Sequence, residues 1–227
     1  VLELALNTGV VFVQKKIQKP VFKDYFKNFG FGEKMGIDLP GEVSGNISNL
    51  ESNRDINYAT ASFGQGVAIT PMHLISAIGA IANKGKLMKP YIIDEFKSPD
   101  GKTKKTEPKE IRQVVSPQAA EKVSSMMVDV VKNGFDKRAS VEGYMIAGKT
   151  GTAQIADGKG GYSDEFIHSF VGFAPASDPK FLVLIRLEKP KGNRFASNTL
   201  SAFFGEMMNY LLSYYEIPPD IRTESGI

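Results

Sequence analysis

Gly148-Lys149-Thr150-Gly151-Thr152-Ala153-Gln154-Ile155 and, a short loop later, Phe166-Ile167-His168-Ser169-Phe170-Val171-Gly172-Phe173 are the stretches that decide the fold. Both are short and rich in β-branched or aromatic residues, which predicts strands. The first reads as a strand from Gly143 to Ile155 with glycine in its middle, and Asp157 to Gly161 as a loop. After Phe166–Phe173, the Asp178-Pro179 pair marks a tight turn over Ala176–Lys180. Phe181 to Glu188 is the returning strand of an antiparallel hairpin. Leu200, Phe203, Phe204, Met207, Met208, Leu211, Leu212 and Tyr215 then recur at helical spacing, and Pro218-Pro219 stops that helix.

Upstream of this sheet the signals are mostly helical. Asn7 marks a polar turn, with a helix from Thr8 ending near Lys15 and Lys16. Val21 to Phe29 reads as an amphipathic helix stopped by Gly30. Gly32 to Asn53, rich in Gly, Pro, Asn and Ser, reads mostly as loop. Thr70-Pro71 and Ser116-Pro117 each open a helix, with the hydroxyl residue as N-cap and proline at the first helical position. Gly85 and Gly134 close those two helices. Leu87 to Asp94 reads as a strand, and Asp100-Gly101 as a hairpin turn beside a solvated lysine-rich face at Lys102, Lys104, Lys105 and Lys109. Helices followed by consecutive antiparallel strands and a covering helix predict an α+β domain, an antiparallel sheet covered by helices.

The chain has 227 residues, and its 42% hydrophobic and 23% charged content is that of a globular protein. A formal net charge of +3 is too mild to mark a nucleic-acid binder. The absence of Cys excludes disulfides, thiolate nucleophiles and cysteine-ligated metal sites. The two histidines, His73 and His168, lie far apart. His73, in the first turn of a helix, reads as structural, and His168 as a surface or strand-edge residue. No metal or organic cofactor is implied.

The chemistry centres on Lys149, Thr150, Gly151 and Thr152. Glycine in a strand permits close approach of a ligand or another backbone. Such a strand can pair with an extended peptide while Lys and Thr hold the peptide's carboxylate. The alternative is a solvent-facing strand end with incidental Lys and Thr. Gly143 to Thr150 also satisfies the phosphate-loop string Gly-x-x-x-x-Gly-Lys-Thr. Its Tyr-Met-Ile-Ala interior is strand-like, however, and no helix start follows, so the phosphate cradle has no context here.

These residues resemble the penicillin-binding proteins, serine D,D-transpeptidases that cross-link peptidoglycan and are acylated by β-lactams. The resemblance rests on Lys149-Thr150-Gly151-Thr152-Ala153 followed by Ser169 to Pro175. It is extended by Phe63-Gly64-Gln65-Gly66 with Thr70-Pro71, by Gly36 to Glu42, and by Ile217-Pro218-Pro219-Asp220. The pattern is most similar to class B, and its order spans nearly the whole chain. It implies a β-lactamase/transpeptidase-like fold. It also implies that residues 1–227 are the C-terminal portion of a single transpeptidase domain whose N-terminal part is missing, so that one side of the sheet is expected to be uncovered. An envelope location on the extracytoplasmic face follows, with an anchor in the missing N-terminal segment. The implied partners are the D-Ala-D-Ala stem peptide, β-lactams and membrane proteins of division or elongation, and no nucleic acid.

Of the family's three motifs, Lys-Thr-Gly is Lys149 to Gly151. Ala5-Leu6-Asn7 stands at the Ser-x-Asn position, with Asn7 retained and Ala5 in place of the serine. The nucleophile motif Ser-x-x-Lys is expected upstream of this chain. The string Ser177-Asp178-Pro179-Lys180 is a decoy, because it follows Lys-Thr-Gly and Pro179 opposes the helix that would align Ser with Lys. By the resemblance, Asn7 orients the substrate carbonyl and Lys149 sets the local positive potential. Thr150 and Thr152 bind the terminal carboxylate, and the Thr152 N–H forms half of the oxyanion hole. The methyl group of Ala5 cannot relay protons. Either the family tolerates it, a neighbour such as Thr8 substitutes, or the protein is a non-catalytic sensor or scaffold. A β-lactamase or D,D-carboxypeptidase shares the same strand and is the remaining alternative.

Overall fold

A computed structural model describes residues 1–221; residues 222–227, the end of the expected domain, lie outside the described ones. In chain order the helices are α1 (Asn7–Lys16), α2 (Lys19–Asn28), α3 (Asp55–Ala61), α4 (Pro71–Ala82), α5 (Pro117–Asn133), α6 (Ala196–Thr199) and α7 (Ser201–Tyr214). The strands are β1 (Lys86–Met88), β2 (Glu95–Lys97), β3 (Thr103–Lys105), β4 (Glu110–Gln113), β5 (Ala147–Ala156), β6 (Tyr162–Ala174) and β7 (Phe181–Glu188). The main sheet is antiparallel in the order β5-β6-β7, and β1-β4 and β2-β3 form two small ribbons. The expected α+β class, a sheet covered by helices, is the observed one.

Side chains alternate across the main sheet, so its two faces have separate cores. On one face, Ala147 and Phe173 pack with Met127 of α5, while Ile78 of α4 and Leu182 of β7 complete the cluster. On the other, Phe170 stacks on Phe204 of α7 with ring centroids 4.2 Å apart, and Met208 and Leu212 extend the contact. Glycine makes this closeness possible. A Cβ on Gly148 would sit 2.8 Å from the Phe170 ring, and one on Gly172 the same distance from the Phe204 ring. Helices therefore cover the α7 face and one half of the α5 face. The other half of that face, from Ala153 and Ile167 to Leu184 and Arg186, forms the floor of a cleft.

The helix starts follow their caps. The Thr70 hydroxyl accepts from the His73 N–H, and the His73 ring accepts from the Thr70 N–H, closing a capping box. Ser116 caps α5 by accepting from Ala119. His73 is buried and structural, as expected. Four expectations are corrected. The strand read over Leu87–Asp94 is only Lys86–Met88, and Pro90 soon after has no N–H for a ladder. The strand read from Gly143 begins at Ala147, because Gly143 turns through a positive φ of 81°. A helix, α3, stands where none was read. His168 is not at the surface or a strand edge, being fully buried in the middle strand.

Candidate active site

β5 is an edge strand, paired only with β6 in the sheet. Thr150 lies opposite Phe170 and Thr152 opposite His168. The Thr150 N–H points away from β6 and donates to Asp136 Oδ2 at 3.1 Å. Backbone direction repeats every second residue in an antiparallel ladder, so the Thr152 N–H and C=O also point off the edge. That is where an extended ligand strand would pair.

Lys149 projects from the cleft-facing side of β5, and its Nζ donates to the Thr150 carbonyl at 3.0 Å. Burial holds its ammonium below the usual lysine range, partly offset by the negative charge of Asp136. Thr152 lines the cleft, and its hydroxyl accepts from the Ala196 N–H at 3.0 Å. Gly151 also lines the cleft; a Cβ there would lie 2.6 Å from Ser169 Oγ, so a side chain would have to displace that hydroxyl. Thr150 lies on the α7 side, and its hydroxyl donates to Asp136 Oδ2 at 3.1 Å. Asn7 is the exposed first residue of α1. Among the described residues no hydrogen bond joins it to Lys149. Ala5 holds a left-handed backbone with φ 48°.

The cleft has a volume of about 800 Å³. One wall is the edge of β5 from Gly151 to Ala156, and the other is the Phe63–Thr70 loop. One hydrogen bond spans the two walls: the Gly66 N–H donates to the Tyr162 hydroxyl at 3.0 Å. The Gly66 carbonyl is held by the Asn49 amide. The decoy behaves as one. Ser177 donates to Asp220 in an exposed turn, and Lys180 pairs with Asp178.

Two residues of this neighbourhood carry no motif. Asp136, 1% exposed, follows the C-terminus of α5 and accepts from Thr150 and from Ser201. His168 bonds the Thr199 hydroxyl at 2.9 Å and the Arg194 carbonyl at 3.1 Å, anchoring the segment that delivers Ala196 to Thr152. The sequence signal for His168 is a polar residue in the apolar run Phe166–Phe173; Asp136, between Phe135 and Lys137, carries none.

Comparison with known proteins names the family and the fold. The family model for the penicillin binding protein transpeptidase domain matches residues 1–209. Stage V sporulation protein D of Bacillus subtilis is 38% identical over 223 residues, covering 96% of this chain and 34% of that protein. Peptidoglycan D,D-transpeptidase FtsI of Escherichia coli is 31% identical over 225 residues, covering 98% of this chain and 37% of that protein. The crystal structure of penicillin binding protein 3 from Mycobacterium tuberculosis, complexed with ampicillin, superposes with a TM-score of 0.90 at 30% identity, covering 99% of this chain and 52% of that one. The chain thus spans about a third of the length of these curated relatives. On the match over residues 1–209, the chain belongs to the penicillin-binding protein transpeptidase domain family.

Proposed function

We propose that this chain carries the carboxylate-recognising half of a peptidoglycan D,D-transpeptidase active site. In that reaction a serine attacks a D-Ala-D-Ala peptide bond, D-Ala leaves, and the acyl group passes to an amine; a β-lactam takes the same place and stays attached. The observation that carries the reading is the unpaired edge of β5 at Thr152, whose outward N–H and hydroxyl meet the cleft beside the half-buried Lys149. Thr152 N–H supplies one oxyanion donor, and losing such a donor costs about 10²–10³ in rate. Lys149 supplies the cation, and Asn7 orients the acyl-side carbonyl.

Residues 1–227 are read as the C-terminal portion of one transpeptidase domain. Lys-Thr-Gly is present, and no Ser-x-x-Lys precedes it. The substrate class is the peptidoglycan stem peptide, and the location is the envelope, on the extracytoplasmic face. Among the described residues no helix is long and apolar enough to cross a membrane. Labelling with a fluorescent penicillin tests the reading. The 227-residue chain alone stays unlabelled, whereas a polypeptide that also carries the Ser-x-x-Lys segment is labelled covalently and protected by prior ampicillin. Labelling of the chain alone sinks the assignment of the nucleophile to another segment. Ala5 favours a second reading, a β-lactam sensor or scaffold without transfer; acylation without transfer to an amine would select it.

A further inference from the structure

The bond that crosses the cleft is held firmly at both ends. On the strand side, Tyr162 opens β6 opposite Ala156. The tip before it is closed on itself, because the Asp157 carboxylate accepts from the Lys159 and Gly161 N–H groups at 2.7 and 2.9 Å. On the loop side, the Gly66 carbonyl accepts from the Asn49 amide at 2.6 Å. The neighbouring Gln65 N–H donates to the Thr60 carbonyl at 3.0 Å. The Gly66 N–H then reaches the Tyr162 hydroxyl at 3.0 Å. In that bond the phenol is the acceptor, so its own proton is unspent. Among the described residues nothing accepts that proton. Tyr162 is 46% exposed and lines the cleft.

The place of this donor along the strand gives it a reader's role. From Thr152 to Ala156 is four residues of strand, about 13 Å. A ligand with its carboxylate end at Lys149–Thr152 and its scissile carbonyl on the Thr152 N–H extends its acyl-side arm the other way, toward Gln154 and Tyr162. The side chains there are amides and hydroxyls, with Asn46, Ser48, Gln65 and Gln154 beside Tyr162. Arg186, the charged side chain among the described lining residues, stands opposite Ser169, which in turn stands opposite Gly151. It therefore lies across the sheet from Gly151 and not at the Tyr162 end. A charged arm at that end would lose water without gaining a counter-ion, whereas a neutral carbonyl would find donors.

We propose that Tyr162 is a specificity-determining residue whose hydroxyl, aimed by Gly66, donates to a neutral carbonyl on an acyl-side arm long enough to reach the end of the cleft. This rests on the transpeptidase reading and adds to it. Because Gly66 already fixes the phenol, the ligand does not have to order it on arrival. A short apolar arm gains nothing from the same hydroxyl.

The test uses the protein with its complete transpeptidase domain and two probes. Benzylpenicillin carries a short phenylacetyl arm, and piperacillin a longer arm bearing neutral carbonyls. Second-order acylation rates are measured for both, in wild type and in Tyr162→Phe, which removes the hydroxyl and keeps the ring. The variant is expected to lower the piperacillin-to-benzylpenicillin rate ratio by about two- to tenfold, the scale of one neutral hydrogen bond. A purely structural role for the bond would slow both probes alike and keep the ratio, and that result overturns the proposal. An unchanged pair of rates overturns it too. So does a ratio that rises, since the hydroxyl would then obstruct the long arm instead of receiving it. A wild-type protein that reacts with neither probe overturns the transpeptidase reading itself, which separates the two failures.

Discussion

The two halves of one sheet face make the instructive comparison. At the Ala147–Phe173 end, helices α4 and α5 close over the strands, and both of those residues are fully buried. At the Ala153–Ile167 end the same strands, in the same register, line the cleft. The first half is where apolar area is removed from water and stability resides. The second keeps its side chains half-exposed and its strand edge unpaired. A single antiparallel ladder therefore serves as core at one end and as cleft floor at the other, and what lies above it decides which.

Substitutions that should act on one half only will sharpen this contrast. The largest effect is expected in the closed half. Phe173→Ala should cost about 3–5 kcal/mol in denaturant unfolding. Ile167→Ala, on the cleft floor, should cost about 1 kcal/mol, since it is already partly hydrated. Equal losses at Phe173 and Ile167 would break the comparison. Gly148→Ala should cost about 1–3 kcal/mol by overpacking, because the new methyl meets both Phe170 and Val131. Thr70→Ala, at the start of α4 on the cleft wall, should cost about 1 kcal/mol through its lost cap.

Lys149 gives the smallest stability effect and a distinctive pH signature. Its folded-state affinity for a proton is lowered by burial below the ordinary value of 10.5. The unfolded chain therefore holds more protons in the alkaline range beneath that value, and stability should rise with pH there. The burial penalty is fully present at lower pH, where Lys149 is charged in both states. Lys149→Met should flatten the rise and slightly raise the thermal midpoint at neutral pH. A thermal-melt series across the alkaline range, wild type against variant, checks the slope.

What could be read in the sequence divides along physical lines. Caps, proline punctuation and periodicity are local, so α4, α5, α7 and the β6–β7 hairpin were legible to within a few residues. Lys149, Thr150 and Gly151 stand out in the sequence as a motif, and the structure sets Gly151 and Thr152 in the wall of the cleft. α3 was missed because it has no side-chain cap, and Asn57, Tyr58 and Thr60 favour helix weakly. Tertiary contact holds it instead, with the Tyr58 hydroxyl donating to the Leu50 carbonyl at 2.7 Å. His168 was misread because its partners, Thr199 and Arg194, come from a segment that folds back over the sheet. Asp136 was invisible for the same reason, since its worth lies in Thr150 and Ser201, remote in sequence and adjacent in space.

The bond from Gly66 to Tyr162 joins residues 96 positions apart. Groove width is thus jointly owned by two distant stretches of polypeptide. A change that lengthens the β5–β6 tip, or that stiffens the Phe63–Gly66 turn, is felt on the opposite wall. Drift in either stretch would therefore reshape the cleft from both of its walls at once.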